Sequence, residues 1–502
     1  MLIQPATFAA PGKPQPTRVA MNPQDPATMT TETVSLSISR SDKPSTKDYQ
    51  VTDKVKADSR GEYVLDRKAD PNGYASMNVL ANLQSGLDAF LPYCDRDKTP
   101  GNWWPDGPQK LDIFAYDRQN EANAFFNPFT FDDHGKRVPP GVHFGVFADP
   151  KTNEKIYAAH SGEVTGHEGG PGHATLHRFR PNYIRSMNPE VRAYHEAFGD
   201  VSSILTQLKN PRVLDLVAGQ TGGDLSKHNA VSDLGEQFGV AINHLVEAQG
   251  GPKQMTGGDY VRTAINDLKW QDPNTLPPRP NPKNPGQLSR EAHDFSRVWT
   301  GAVYGVLARA TALRMSQGAQ AKEAIASANE DLLKIYGKLT SNTSPEGDFS
   351  FADMAQAMLQ ADQMAGTQLG EIIQSEMNKR NILPTDAGLS LRAPTQGSYD
   401  VDFSFSGREA AFAGTSLESL GGFSMEAPQS GQPRLGVNPD DHSQARIKLA
   451  ENLGQLARDG RILFTNPGQK PDSLFDRNGQ PYIAQVTWDN DQARLQPVMI
   501  LS

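Results

Sequence analysis

The stretch from Glu163 to Asp200 constrains this chain more than any other. It opens as Glu163-Val-Thr-Gly-His-Glu-Gly-Gly-Pro-Gly-His173 and continues, one helix later, as Tyr194-His-Glu-Ala-Phe-Gly-Asp200. A His-Glu pair, a second His and a later Glu supply two imidazoles and a carboxylate for a metal. One coordination position stays open for water, and the Glu beside the first His can take a proton. The helical spacing for such a pair is His-Glu-x-x-His, whereas here four residues separate Glu168 from His173. On an ideal helix His167 and His173 would lie about 600° apart and face different ways. Gly169, Gly170, Pro171 and Gly172 argue against a continuous helix there in any case. Three arrangements follow. A looped-out bulge can return His167 and His173 to one site with Glu168 in place. His173 and His177, at the helical spacing of four, can form the pair, with Ala174 where the base should be. Or the site is degenerate and holds no metal. Glu196 and Asp200 project from one helix face. That suits a metal ligand and, behind it, a carboxylate that orients a ligand His.

The rest of the composition narrows the partners. The 502-residue chain carries a net charge of -9 with its Lys and Arg scattered, so there is no basic stripe for nucleic acid. No apolar run is long enough to span a membrane. The N-terminus shows no charged region followed by an apolar stretch, hence no visible signal peptide. The expected location is cytoplasmic, or outside the cell by a signal-independent route. The single cysteine, Cys94, excludes an internal disulfide and a Cys-rich metal cluster, and reads as a small buried hydrophobe.

Taken in order, residues 1–47 are rich in Pro, Thr, Ser, Gln and Asn and read as a disordered tail. Alternation between Tyr49 and Leu65 predicts a hairpin. Ser76 to Tyr93 has helical periodicity, with Val79, Leu80, Leu83, Leu87 and Phe90 on one side. Lys110–Tyr116, Asn123–Asn127 and Val142–Phe147 read as strands. Helices are expected over Pro189–Leu208, Ser232–Ala248, Asp259–Leu268, Asp294–Met315, Ala319–Leu339 and Phe351–Asn378, with a Pro-rich loop over Pro273–Pro285. Composition changes near Arg392. Strands around Tyr399, at Tyr482–Trp488 and Leu495–Leu501, with a helix over Ser443–Arg458, predict a small α+β domain over 395–502.

Five blocks in order resemble the thermolysin-like zinc metallopeptidases, or gluzincins, between about Ser76 and Leu383. The resemblance implies zinc on His167, His173 and Glu196, with Asp200 behind them and Glu168 as the base. Asn123-Ala-Phe-Phe-Asn127 is similar to that family's substrate-binding edge strand, which would make Asn123 and Ala124 substrate contacts. Tyr260-Val-Arg-Thr-Ala-Ile-Asn-Asp267 is similar to the segment whose Arg grips a substrate carbonyl, here Arg262. Glu291-Ala-His-Asp-Phe-Ser296 resembles the segment of the second catalytic His, here His293, which would stabilise an oxyanion. Tyr183 falls roughly where the family places a helper Tyr. Glu163 stands where the family often has a calcium-binding Asp, but Gln207 replaces a further acidic ligand, and the reading leaves calcium out.

The expectation is therefore an α+β chain. A two-lobed thermolysin-like domain over 48–390, with a β-rich N-lobe and a helical C-lobe, precedes the small C-terminal domain. The implied activity is Zn2+-dependent endopeptidase hydrolysis of a polypeptide substrate by a monomer. The alternative is a catalytically impaired relative that serves as a binding or scaffold protein.

Overall fold

The computed structural model describes residues 14–383 apart from 101–102, 104–109, 120, 129, 132–136, 139–140, 182, 187, 252–257, 282–286 and 344–348. Beyond 383 it describes five strands. The architecture is mixed, with a curled sheet and many helices.

Strands β1 (Gln15–Met21) and β2 (Glu32–Ile38) pair antiparallel along their full length. Residues 14–47 are thus not the disordered tail that their composition predicts. Val19, Met21, Leu36 and Ile38 alternate into a core, and Asn22 N–H donates to the buried Asn78 Oδ1 at 2.6 Å. The polar residues that lowered the mean hydropathy here serve as buried hydrogen-bond partners or face water. Residues 1–13 lie outside the described residues. The hairpin expected between Tyr49 and Leu65 is also absent. β3 (Tyr49–Val51) instead pairs parallel with a later strand, and Tyr63 bridges back to Val19.

Helix α1 (Pro71–Phe90) begins before its predicted Ser76. Asp70 caps it by accepting from Gly73 N–H, and Pro71 takes the first position, where it loses no hydrogen bond. Next come β4 (Leu111–Gln119), β5 (Ala124–Asn127), the short pair β6 (Thr130–Phe131) and β7 (Arg137–Val138), β8 (Gly141–Ala148) and β9 (Lys155–Tyr157). The order β3-β4-β8-β5 puts β5 at an edge, with β9 pairing the far end of β8. One cluster of buried side chains lies between this sheet, β1, β2 and α1.

A second cluster is helical. It is built from α3 (His173–Phe179), which follows the short α2 (Gly162–Glu168), and from α4 (Pro189–Gln207), α5 (Pro211–Thr221) and later helices. Between these, β10 (Asp233–Leu234) leads into α6 (Glu236–Ala248) and pairs with β11 (Arg262–Thr263). That pairing overturns the helix expected over Asp259–Leu268, and moves the start of the preceding helix from Ser232 to Glu236. α7 (Ala292–Ser316) and α8 (Ala321–Asn342) match their patterns. The long helix expected over Phe351–Asn378 is two, α9 (Phe351–Ala365) and α10 (Gly370–Lys379). Gly366, at φ 66°, ends the first in the left-handed conformation that favours glycine.

Beyond residue 383, β12 (Ser398–Phe403), β13 (Phe423–Pro428), β14 (Ile462–Phe464), β15 (Ala484–Asp489) and β16 (Gln492–Pro497) form one sheet of order β12-β13-β16-β15-β14. The predicted helix over Ser443–Arg458 lies outside the described residues. Among those described, no helix is long and apolar enough to cross a membrane.

Candidate metal centre

The Gly-Gly-Pro-Gly segment divides what would be one helix into two. Ser161 caps α2 by accepting from Val164 N–H, and α2 stops when Gly169 N–H closes on the Thr165 carbonyl. The chain then doubles back. Gly172 N–H donates to the Gly166 carbonyl at 3.0 Å, and α3 begins at His173. A Cβ on Gly172 would lie 1.9 Å from the His167 carbonyl oxygen, so only glycine permits this return. The result brings the His167 and His173 rings to a centroid separation of 4.3 Å.

Glu196 lies opposite them on α4. Its Oε2 is 3.5 Å from His167 Nε2, 3.8 Å from His173 Nε2 and 3.2 Å from His293 Nε2. Glu196 is 3% exposed, and this oxygen makes no hydrogen bond; neither does either ring nitrogen of His173. Buried polar atoms are rarely left so. The described residues contain two overlapping groups here whose ligand atoms lie within 4.8 Å of one another: His167, Glu168 and His173, and His173, His195 and Glu196. Both use His173. Neither uses His177, whose ring packs on Phe126 at 5.5 Å. Unpaired imidazole nitrogens beside a buried carboxylate are the donor set a divalent transition metal takes.

The surrounding side chains fix these groups. Asp200 Oδ1 is 2.9 Å from His167 Nδ1, which leaves Nε2 turned toward Glu196. Asp200 also accepts from Arg262 Nε at 2.9 Å and from Thr300 Oγ1 at 3.3 Å. Arg262 reaches the site from β11 and lays Nη2 against the His167 ring nitrogens at 3.1 and 3.3 Å. Gly199, one turn after Glu196, leaves room for both rings.

Glu168 is tied to the sheet edge. Its Oε2 accepts from Phe126 N–H at 3.0 Å and lies 3.2 Å from His173 Nδ1. In an antiparallel strand a residue's N–H and C=O point to the same side. Phe126 therefore faces away from β8, and so does Ala124, two residues earlier. Asn123 faces the other way, its carbonyl accepting from Gly145 N–H at 2.7 Å. Ala124 thus offers backbone groups on the open edge, while the Asn123 side chain is exposed.

Charge follows this packing. Burial raises the Glu168 carboxyl to about 7. Burial, reinforced by the charges of His167, Arg262 and His293, drives His173 down to about 3, and burial with His173, His167 and Arg192 nearby drives His195 well below the ordinary range. Burial also opposes charge on His167, but Asp200 and Glu196 overcome it and hold His167 at about 9. His293 is likewise held at about 9 against burial by Glu196 and by Glu291, whose Oε1 is 2.8 Å from its Nδ1. The His293 side chain is still 48% exposed, so it borders solvent on the open side of the cluster.

Tyr183 takes no part. It is 1% exposed in the helical core, with its ring 4.9 Å from Phe349 and 6.3 Å from Tyr194, so it is packing material rather than a substrate contact. His195 is the residue that the sequence reading missed. Its ring lies 4.2 Å from that of His173, and its Nε2 is unpartnered. The signal was available, because His195-Glu196 repeats the His167-Glu168 pair. No known family model matches the sequence, and no curated protein matches it.

Proposed function

We propose that this chain is a zinc-dependent endopeptidase of the thermolysin-like type, with the metal on His167, His173 and Glu196 and the two lobes of that fold around it. The observation that carries the reading is the buried, unpartnered Glu196 Oε2 facing the Nε2 atoms of His167, His173 and His293. Zinc there would supply Lewis acidity, acidifying a water and polarising the scissile carbonyl.

The chain's own residues supply the rest. The edge of β5 at Ala124 and Phe126 can add an extended peptide as one more strand, through backbone hydrogen bonds. That edge places the peptide beside Glu168, to which Phe126 is already bonded. Glu168, with a carboxyl held at about 7, accepts a proton from water near neutral pH and returns it to the leaving amine. His293, protonated and open to solvent, donates to the oxyanion that forms as water adds; one such donor contributes on the order of 3 kcal/mol. Asp200 orients His167, and Arg262 is held by Asp200 beside it. Asp200 engages the Arg262 Nε, and the guanidinium has further N–H donors with which to grip a substrate carbonyl, the role that the resemblance implies.

A second reading, a scaffold that binds peptide without cutting it, draws on the contacts of Arg262 with His167 and of Glu168 with His173. These let the groups balance one another without a metal. Zinc content of the purified protein, with cleavage of a denatured protein substrate, separates the two. One zinc per chain, and activity lost in Glu168→Ala with zinc retained, support the peptidase. Absence of bound zinc after reconstitution refutes it.

A further inference from the structure

His173 is carried by a helix too short to place itself. α3 has seven residues, and a helix of that length is marginal without its neighbours. Its apolar side chains divide between the two cores: Ala174 packs into the β-rich one, Leu176 and Phe179 into the helical one. Apolar burial is non-directional. The directional contacts of α3 come from Arg178, five residues after His173.

Arg178 is buried and donates through Nε and Nη2 to the Pro100 carbonyl at 3.0 and 2.6 Å. Its Nη1 lies 3.5 Å from Asp48 Oδ1, and its guanidinium carbon is 4.8 Å from the centre of the Trp103 ring. Asp48 is itself fixed. Its Oδ2 accepts from Gln84 Nε2 of α1 at 3.3 Å, and its carbonyl accepts from Trp103 Nε1 at 2.9 Å. The next residue, Tyr49, reaches the other end of the same stretch. Tyr49 is fully buried, with its ring 5.2 Å from that of Trp103, and its hydroxyl has no hydrogen-bond partner. That hydroxyl abuts the loop before His173, where a Cβ on Gly170 would lie 2.1 Å from it. From α1, a Cβ on Gly86 would lie 2.5 Å from the Gly170 carbonyl oxygen.

We propose that Tyr49 and Arg178, the latter through Asp48, are positioning residues for His173. Tyr49 seats the loop that enters α3, and Asp48 anchors the end of α3 through Arg178, so two adjacent residues at the start of β3 locate both. His167 is placed separately, by α2 and by Asp200. On one continuous helix the backbone alone would set the separation of the two imidazoles. Here β3 sets it, and a ligand is only as well placed as the groups that hold it. The inference rests on the metal reading above.

Zinc competition and the visible absorption of the Co2+-substituted full chain test this, with Tm measured alongside. Arg178→Met keeps an unbranched stem but removes the donors and the charge. It is expected to lose zinc affinity by on the order of 10–100-fold and to change the Co2+ spectrum. Arg178→Lys keeps the charge beside Asp48 and should fall between Arg178→Met and the parent. Gly170→Ala should weaken zinc by a similar factor. Adding Tyr49→Phe, which removes the hydroxyl that the new Cβ would strike, should recover at least about threefold. Val213→Ala, in α5, is the control: it truncates a buried side chain outside the metal cluster and should lower Tm with zinc affinity unchanged. Arg178 variants that lose Tm but keep the zinc affinity and Co2+ spectrum of the parent overturn the proposal. So does a double variant that recovers nothing, or a Val213→Ala that weakens zinc as much as they do. If Arg178→Met does not fold, Arg178→Lys and the Gly170 variants decide. A parent that takes up no zinc refutes the metal reading itself, and this proposal with it.

Discussion

Replacing Gly199 by Ala tests whether the two histidines seat against α4 as described. A Cβ at this position would lie 2.7 Å from His167 Nδ1, 2.8 Å from its Cε1 and 2.9 Å from His173 Nε2. The rings have little room to yield, since Asp200 and Arg262 hold His167 and the His173 side chain is fully enclosed. Overpacking of this kind costs about 1–3 kcal/mol. Alanine in a helix interior recovers about 0.5–1 kcal/mol over glycine, so the net expectation is a loss of up to about 2.5 kcal/mol. Gly219, in α5, is the control, because its Cβ would meet nothing within 4 Å; Gly219→Ala should stabilise by about 0.5–1 kcal/mol. Displaced ligands should also weaken metal, on the order of 10–100-fold, as when an orienting partner is lost. Urea unfolding and a zinc competition assay read both quantities. If Gly199→Ala matches Gly219→Ala in stability and holds zinc like the parent, the packing argument fails.

Two further outcomes follow. The acid limb of kcat/KM should fall between the ordinary carboxyl value of 4.5 and the value of about 7 that burial gives Glu168 without a metal, because a bound cation favours the carboxylate. In metal-free protein the sign for stability is opposite: a raised carboxyl favours folding at low pH, and that contribution is lost as pH rises through about 7. A limb of kcat/KM that is unchanged in Glu168→Gln would remove Glu168 from the base role. Deleting residues 1–38 removes Val19, Met21 and Ile38 from the core, on the order of 1.5–3 kcal/mol each against a total of about 5–15 kcal/mol. That truncation should yield no folded protein; a cooperative unfolding transition in it would restore the disordered-tail reading.

Where an element carries its own periodicity, its sequence was enough to place it. α4, α7 and α8 fall within a few residues of their apolar patterns, and β4, β5 and β8 match their alternating runs. The failures share a cause. Residues 14–47 fold because α1 offers Asn78 and the β-rich core offers a surface, and neither is visible in the segment's own composition. Residues 259–268 look helical in isolation, yet β11 is held by β10, and Arg262 is drawn to Asp200. The break at Gly366 was written in the sequence as a glycine, but apolar residues on both sides of it masked the end of a helix.

The site poses the same question at higher resolution. A spacing of four on one helix is only one way to bring two imidazoles together; what a shared site requires is that the side chains converge, not that the backbone be continuous. Here α2 ends immediately after Glu168, and α3 begins at His173, so each histidine is placed by its own helix. The intervening loop is held by Gly172 N–H on Gly166 and by the absence of a side chain at Gly172. Glu168 stays adjacent to His167, so the inserted residues alter the reach of His173 without disturbing the base. The four-residue interval that looked like damage to a metal motif is therefore compatible with one, provided Gly172 stays glycine. His195, carried by α4 beside Glu196, packs its ring 4.2 Å from that of His173 and so meets the start of α3 from a third helix.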